Sequence, residues 1–251
     1  MTALEPSPAI VLAGVSKSFG PSGPLVLDAV SLQIAEGEFV CLLGASGCGK
    51  STLLNLIAGL DHATAGSVTV TSGRAAMMFQ DSALFPWLSA RRNVELALGL
   101  RGVPRARRRA RAMELLDIVN LTDASERRPH ELSGGMRQRV ALARSLAQDR
   151  PVLLMDEPFA ALDAITRDLL HEELEQLWRA TGRTIVFVTH NVREAARLGQ
   201  RVILMSSRPG RIVREWRVDD SEQRRIESPE VSRLSIEITD ELRREIRRNA
   251  A

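Results

Sequence analysis

Tyrosine is absent from this 251-residue chain, and aromatic residues make up only 4% of it. Nucleic-acid binders pair clustered cations with stacking aromatics. The cationic cluster at 105–111 holds no aromatic and runs into Ala112, Leu115, Leu116 and Val119, whose spacing makes one apolar helix face. Its arginines are therefore read as a solvated face, and nucleic acid is not an expected partner. Cysteine occurs twice, at Cys41 and Cys48, without the spacing of a disulfide framework or a metal site. No apolar run approaches the roughly eighteen residues of a membrane span, and the N-terminus lacks the basic-then-apolar pattern of a secretory leader. The expectation is a cytoplasmic chain with no span of its own. Lysine is nearly missing too: Lys17 and Lys50 stand among 34 basic residues.

What is present begins with one of those lysines. Gly44-Ala45-Ser46-Gly47-Cys48-Gly49-Lys50-Ser51 follows directly on the apolar segment 38–43. A strand delivering a glycine-rich loop, then lysine and a hydroxyl at a helix start, is what a nucleoside triphosphate site needs. The glycines let backbone N–H groups close around phosphate oxygens, and a compact ammonium fits where a planar guanidinium would not. Lys50 is expected to reach the β- and γ-phosphates and Ser51 to ligate Mg²⁺. Cys48, inside this loop, is expected to react quickly with maleimides and to be shielded by ATP.

Three further apolar runs, 152–155, 184–188 and 202–205, read as parallel strands buried on both faces, with helical patterns between them. Leu170, Leu174, Leu177 and Trp178 mark a helix ending near Gly182, a suitable C-terminal cap. The alternation predicts an α/β layer fold, whose ligands collect at the carboxyl ends of the strands. Those ends carry 44–51, Asp156-Glu157 and His190. The segments 10–16, 25–34, 66–71 and 74–79 read as short strands of an antiparallel β layer, with turns at 20–23 and Ser72-Gly73. From 84 to 132 the pattern is helical and broken at Gly99, Gly102 and Pro104, as expected of an inserted helical subdomain. From Ser228 a last amphipathic helix carries Leu234, Ile238, Leu242 and Ile246 four apart.

The run 152–157 ends in two carboxylates; in a triphosphatase the first holds Mg²⁺ and the second orients and deprotonates the attacking water. Leu132-Ser133-Gly134-Gly135-Met136-Arg137-Gln138-Arg139 closely resembles the signature of ATP-binding cassette (ABC) proteins. Around it Gln80, Asp156-Glu157, Ala161-Leu162-Asp163 and His190 stand in that family's order. Physically, Ser133 can cap a helix whose N-terminus, opened by two glycines, points at phosphate. Met136 stands where the family most often has glutamine.

The resemblance implies a P-loop ATPase core with a parallel sheet, an N-terminal antiparallel β layer and an inserted helical subdomain. As one domain over 1–251, the core would occupy about 10–83 and 151–218, the helical subdomain about 84–150, and a helical tail about 219–251. By the same carry-over, ATP meets Gly44, Ala45, Ser46, Gly47, Cys48, Gly49, Lys50, Ser51 and Thr52. Phe19 either stacks on adenine or packs in its loop. Mg²⁺ meets Ser51, Gln80 and Asp156, and catalysis uses Glu157, His190 and Gln80. Ser133, Gly134, Gly135 and Met136 face the ATP of a second copy in a head-to-tail dimer, across which Asp163 communicates.

The segments 78–81, 84–88 and 156–163 look like those of the nitrate, sulfonate and taurine importer group. That implies an ATPase subunit at the cytoplasmic face of the membrane, working with permease subunits and indirectly with a solute-binding protein. The apolar segment 84–88 is the expected permease contact, with Trp87 its main anchor and Phe85 divided between contact and core. Other transporter classes and DNA-repair or translation ABC ATPases are the alternatives. The latter two would need a coiled-coil extension or a second cassette, and each motif occurs once.

Overall fold

Five consecutive buried residues, Phe39–Leu43, form strand β3, and their alternation explains the layers around it. Phe39, Cys41 and Leu43 point into one core with the helices, while Val40 and Leu42 point into a second with a small sheet. A strand covered on both faces reads as continuously apolar, as this one does. Each fully buried leucine or valine contributes on the order of 1.5–3 kcal/mol. The computed structural model describes residues 7–20, 23–160, 162–218 and 228–250.

The small sheet has the order β2-β1-β4, with β1 (Pro8–Ser18) pairing antiparallel to both β2 (Leu25–Ala35) and β4 (Ala65–Val70). The main sheet runs β5-β6-β7-β3-β8-β9, from β5 (Ala76–Met78), β6 (Val152–Asp156), β7 (Thr184–Val188), β8 (Arg201–Met205) and β9 (Ile212–Arg217). Its first five strands are parallel and β9 closes the edge antiparallel to β8. Two expectations change here. The segment 74–79 does not join the antiparallel layer: β5 pairs in parallel with β6, Met78 beside Met155. Gly73 turns the chain at φ +87, but it hands it across to the other sheet rather than folding a hairpin. The strand β9 was not anticipated; Trp216 is its one buried residue, so the segment lacks a full alternating face.

Helix α1 (Lys50–Ile57) follows β3 and packs into the core beneath the small sheet. Three helices, α2 (Ala90–Leu100), α3 (Arg105–Ile118) and α4 (Gly134–Ala147), pack on one another beside β5. On α3, Ala112, Leu115 and Leu116 face inward, leaving most of the arginine cluster to solvent. Helix α5 (Ala164–Thr181) ends at Gly182 in the left-handed conformation, φ +60, and α6 (Val192–Leu198) connects β7 to β8. Helix α7 (Pro229–Ala250) starts with Ser228 Oγ accepting from Val231 N and packs on α6. Its apolar stripe buries Val231 and Ile238 but leaves Ile246 exposed, because residues four apart drift around a helix of 3.6 residues per turn. Residues 219–227 of the expected tail and Ala161 of the expected Ala161-Leu162-Asp163 motif lie outside the described residues.

Candidate nucleotide site

The parallel sheet brings three chain segments to one edge, because β3, β6 and β7 end side by side there. From β3 comes the loop 44–49, and α1 begins at Lys50 with no side chain capping its N-terminus. Its first N–H groups are thus free of a side-chain cap, and Gly47 (φ +75) and Gly49 (φ +100) hold the left-handed turns. At Gly49 a Cβ would lie 2.7 Å from Leu27 Cδ2 and 3.2 Å from Val26 O, so neither backbone nor space admits a side chain. From behind, Gly210 supports the loop: a Cβ there would come within 2.2 Å of Cys48 O, and its N–H donates to Val26 O at 2.8 Å.

Lys50 is buried, its Nζ donating to Gly44 O at 2.8 Å and Ala45 O at 3.1 Å. The ammonium is thus held by the loop it serves. Cys48 Sγ lies beneath it at 3.7 Å, and Cys48 is only 1% exposed. This corrects the expectation of a quickly modified thiol, since a reagent has no path to the sulfur without opening the loop. Phe19 is 56% exposed, with Lys17 Nζ 5.0 Å from its ring centroid. Its ring is a presented surface rather than part of the core.

Asp156, the last residue of β6, is buried, and the Ser51 hydroxyl of α1 stands near its carboxyl. Burial raises the Asp156 carboxyl above the usual range; the Ser51 hydroxyl opposes this, the Glu157 charge adds to it, and Lys50 opposes it. Glu157 sits at φ +43, with its N–H donating to Val188 O at 3.0 Å. A left-handed glutamate costs on the order of 1–3 kcal/mol and persists where its surroundings fix it. Its Oε2 lies 3.0 Å from His190 Nδ1, so the carboxylate after β6 and the imidazole after β7 meet directly.

Gln80 stands two residues beyond β5 and is exposed, on the same sheet edge as Asp156 through the Met78–Met155 register. Gln138 Nε2 of α4 donates to Gln80 O at 3.0 Å, and Arg144 donates to Ser82 O and Ala83 O at 2.7 and 2.6 Å. The segment 80–83 is therefore strapped to α4, the helix that begins with the signature. Ser133 caps that helix, its Oγ accepting from Met136 N at 3.2 Å, while Gly135 packs so closely on α5 that a Cβ would meet Thr166 Cγ2 at 2.7 Å. Met136 packs against the core through its side chain. Asp163 caps α5, accepting from Thr166 N at 2.9 Å and Thr166 Oγ1 at 2.7 Å.

Sequence reasoning missed the polar residues that tie these segments together, Gln138, Arg144, Arg167 and Glu194. Only Gln138 lay in a quoted motif, and the signal for the others, a polar side chain on a helix's buried face, is clear only once the helices are docked. It also did not foresee a cavity of about 510 Å³ between β5, α2 and α4. Met77, Phe79, Phe85, Leu96 and Leu100 line it, with Arg74, Arg101, Arg144 and Arg150 at its walls. Phe85 belongs to this lining; Trp87 is 66% exposed and packs on Phe85 with ring centroids 5.5 Å apart.

The profile of the family described as ABC transporter matches residues 27–160. The chain is 46% identical over 207 residues to the taurine import ATP-binding protein TauB of Roseobacter denitrificans, covering 79% of this chain and 77% of that one. It is 49% identical over 208 residues to the nitrate import ATP-binding protein NrtD of Synechocystis sp., covering 80% and 78%. Among solved structures, a dimeric post-hydrolysis state of the ATP-binding cassette MJ0796 bound to ADP and Pi superposes with a TM-score of 0.75 at 36% identity, over 84% of this chain and 99% of that one. With its strand-loop-helix site, its paired Glu157 and His190 and these likenesses together, the chain belongs to the ABC transporter ATPase family.

Proposed function

We propose that this chain is the ATP-hydrolysing subunit of an importer for a small anion such as a sulfonate, taurine or nitrate, working at the cytoplasmic face of the membrane. The observation that carries the reading is the meeting of Glu157 and His190 at 3.0 Å beside the Ser51–Asp156 pair and the phosphate loop. The relatives named for taurine and nitrate import support the solute class. Among the described residues no helix is long and apolar enough to cross a membrane, so the pore is assigned to partner permease subunits. Their docking place is the cavity lined by Phe85, with Trp87 at its outer side. A solute-binding protein delivers the anion to those subunits. The unit comprises a core of about 10–83 and 151–218, a helical subdomain of about 84–150 and the tail.

The loop 44–49 and the start of α1 bind the triphosphate, with Lys50 exchanging its carbonyl partners for β- and γ-phosphate oxygens. Phe19 stacks on the adenine from its exposed position. Ser51 and Asp156 offer a hydroxyl and a neighbouring buried carboxylate, an oxygen donor set that suits Mg²⁺, with Gln80 as a third. When bound, the metal neutralises charge on the phosphate oxygens. Glu157 takes the proton of the attacking water, and His190 holds the carboxylate and meets the γ-phosphate. The water oxygen bonds to the γ-phosphorus as the bond to the ADP oxygen breaks. Ser133, Gly134, Gly135 and Met136 complete the site of a second copy, a reading that the dimeric state of MJ0796 supports.

The test is solute-stimulated ATPase of the chain reconstituted with its permease in vesicles, alongside Glu157→Gln. Taurine, an alkylsulfonate or nitrate is expected to raise turnover, and Glu157→Gln to lower kcat by about 10²–10⁴ with ATP binding retained. Turnover near wild type in that variant contradicts the catalytic assignment. Purification with DNA or ribosomes instead of a membrane protein contradicts the transport assignment.

A further inference from the structure

Behind Glu157 and His190 lies a buried polar cluster that the hydrolytic mechanism does not use. Glu194, on α6, is 4% exposed, an unusual place for a carboxylate unless it is paired. Thr189, adjacent to His190 and 3% exposed, donates its hydroxyl to Glu194 Oε2. The same hydroxyl accepts from Asn191 N at 2.9 Å, so the turn that carries His190 hangs on the threonine. Glu194 Oε1 lies 3.4 Å from Arg167 Nε and 3.5 Å from Nε2 of the fully buried His171, both on α5. Arg167 in turn donates to Phe159 O at 3.3 Å and Leu162 O at 2.6 Å. Those two carbonyls belong to the segment that leaves Glu157 and arrives at Asp163.

One carboxylate therefore ties two segments that come from different strands. Through Thr189 it fixes the chain at His190, and through Arg167 it fixes the chain between Glu157 and Asp163. A small cavity of about 20 Å³, lined by Glu157, Arg167, Thr189, His190 and Glu194, places the cluster against the reacting pair. Further out, Arg197 Nη1 lies 3.5 Å from His171 Nδ1, 3.8 Å from Asp168 and, through Nη2, 3.7 Å from Glu172, closing the cluster on α5. A buried charge held by this many partners resists displacement, because moving any one member strands the others in low dielectric.

We propose that Glu194 is a positioning residue for ATP hydrolysis, locking the segment that carries His190 to the segment that follows Glu157. The inference rests on the roles proposed above for Glu157 and His190. It assigns Glu194 no contact with ATP. Its task is to hold a 3.0 Å approach between two side chains that stand 33 residues apart in the sequence. A displacement of about 1 Å at a reacting group can cost on the order of a hundredfold in rate, so a partial slackening is expected to show in turnover before it shows in binding.

The decisive variant is Thr189→Val, which keeps the shape of the side chain and deletes the hydroxyl that joins Glu194 to Asn191 N. It is measured with Glu194→Gln, Glu194→Asp and the Thr189→Val/Glu194→Gln double variant, in the full chain reconstituted with its permease. Steady-state kcat and KM for ATP are read for proteins shown to be folded by circular dichroism and thermal melting. Thr189→Val and Glu194→Gln are each expected to lower kcat by about tenfold with KM for ATP within about twofold. Glu194→Asp is expected to recover part of the loss, and the double variant to be no slower than the worse single one. Wild-type kcat in folded Thr189→Val, a loss confined to KM, or multiplicative losses in the double variant overturns the proposal. Glu157→Gln is run beside them: if it remains active, the failure belongs to the hydrolytic assignment, and if it is inactive while Thr189→Val is normal, the failure belongs to Glu194.

Discussion

Arg144→Met removes a guanidinium that reaches from α4 to the carbonyls of Ser82 and Ala83 while keeping most of the apolar stem. Each bond from a charged donor contributes about 1.5–3 kcal/mol, so two give roughly 3–6 kcal/mol gross. Against this stands the cost of holding a partly buried cation: burial lowers the Arg144 pKa, so its charged form already pays for desolvation. The net loss is expected at about 2–3 kcal/mol. For a chain of this size each kcal/mol moves Tm by about 2–4 °C, which gives a fall of about 4–12 °C. The local signature is more specific than the melt. With its strap cut, the segment 80–83 keeps the Gln138 bond to Gln80 O as its tie to α4, and amide exchange across peptides spanning 79–88 should rise while the main sheet stays protected. Arg144→Lys should fall between, since one ammonium cannot reproduce the fork that meets two neighbouring carbonyls. Differential scanning fluorimetry and hydrogen exchange by mass spectrometry read both. A melt within about 1 °C of wild type together with unchanged exchange at 79–88 would refute the strap.

Gly49→Ala should abolish nucleotide binding and lower the melting temperature, because the added Cβ enters a left-handed position and lies 2.7 Å from Leu27 Cδ2; titration with a fluorescent ATP analogue checks it, and normal affinity contradicts the strained-turn account. Cys48 should resist maleimide in the folded protein, with or without Mg-ATP, and react at the rate of a free thiol in denaturant. Peptide mapping after brief labelling decides it, with rapid native modification as the contrary result.

The residues whose chemistry is local were legible from the sequence, and those defined by packing were not. The phosphate loop is read from glycine spacing because turn geometry and the phosphate cradle are properties of consecutive residues. Ser133 could be picked out for the same reason, since it caps the helix that follows it, whereas Asp163 was carried over from the family resemblance and its cap on α5 emerges only in the structure. Sheet membership is another matter. Three residues, Ala76–Met78, carry no mark of whether their partner is the preceding strand or one about seventy-five residues on, and the pairing is parallel with β6. The loop alone suggested an accessible Cys48, but its own Lys50 lies over the sulfur and Gly210, from a segment that only the folded sheet brings near, packs against its carbonyl. Glu194 was invisible for a related reason, since its partners on α5 and beside His190 meet only across two packed helices.

The central claim, that each ATP is held by the phosphate loop of one copy and the signature of another, is tested most directly by mixing two inactive variants. Lys50→Ala disables the first half of the site and Ser133→Arg the second, and each alone should hydrolyse almost no ATP; Ser133→Arg should still bind it as a monomer. Unfolded together and refolded as a mixture, they form some dimers in which the intact Lys50 of one copy faces the intact Ser133 of the other. The account predicts that ATPase activity returns in the mixture, well above either parent. Heterodimers demonstrated by affinity tags on the two variants, yet without recovered hydrolysis, would contradict it.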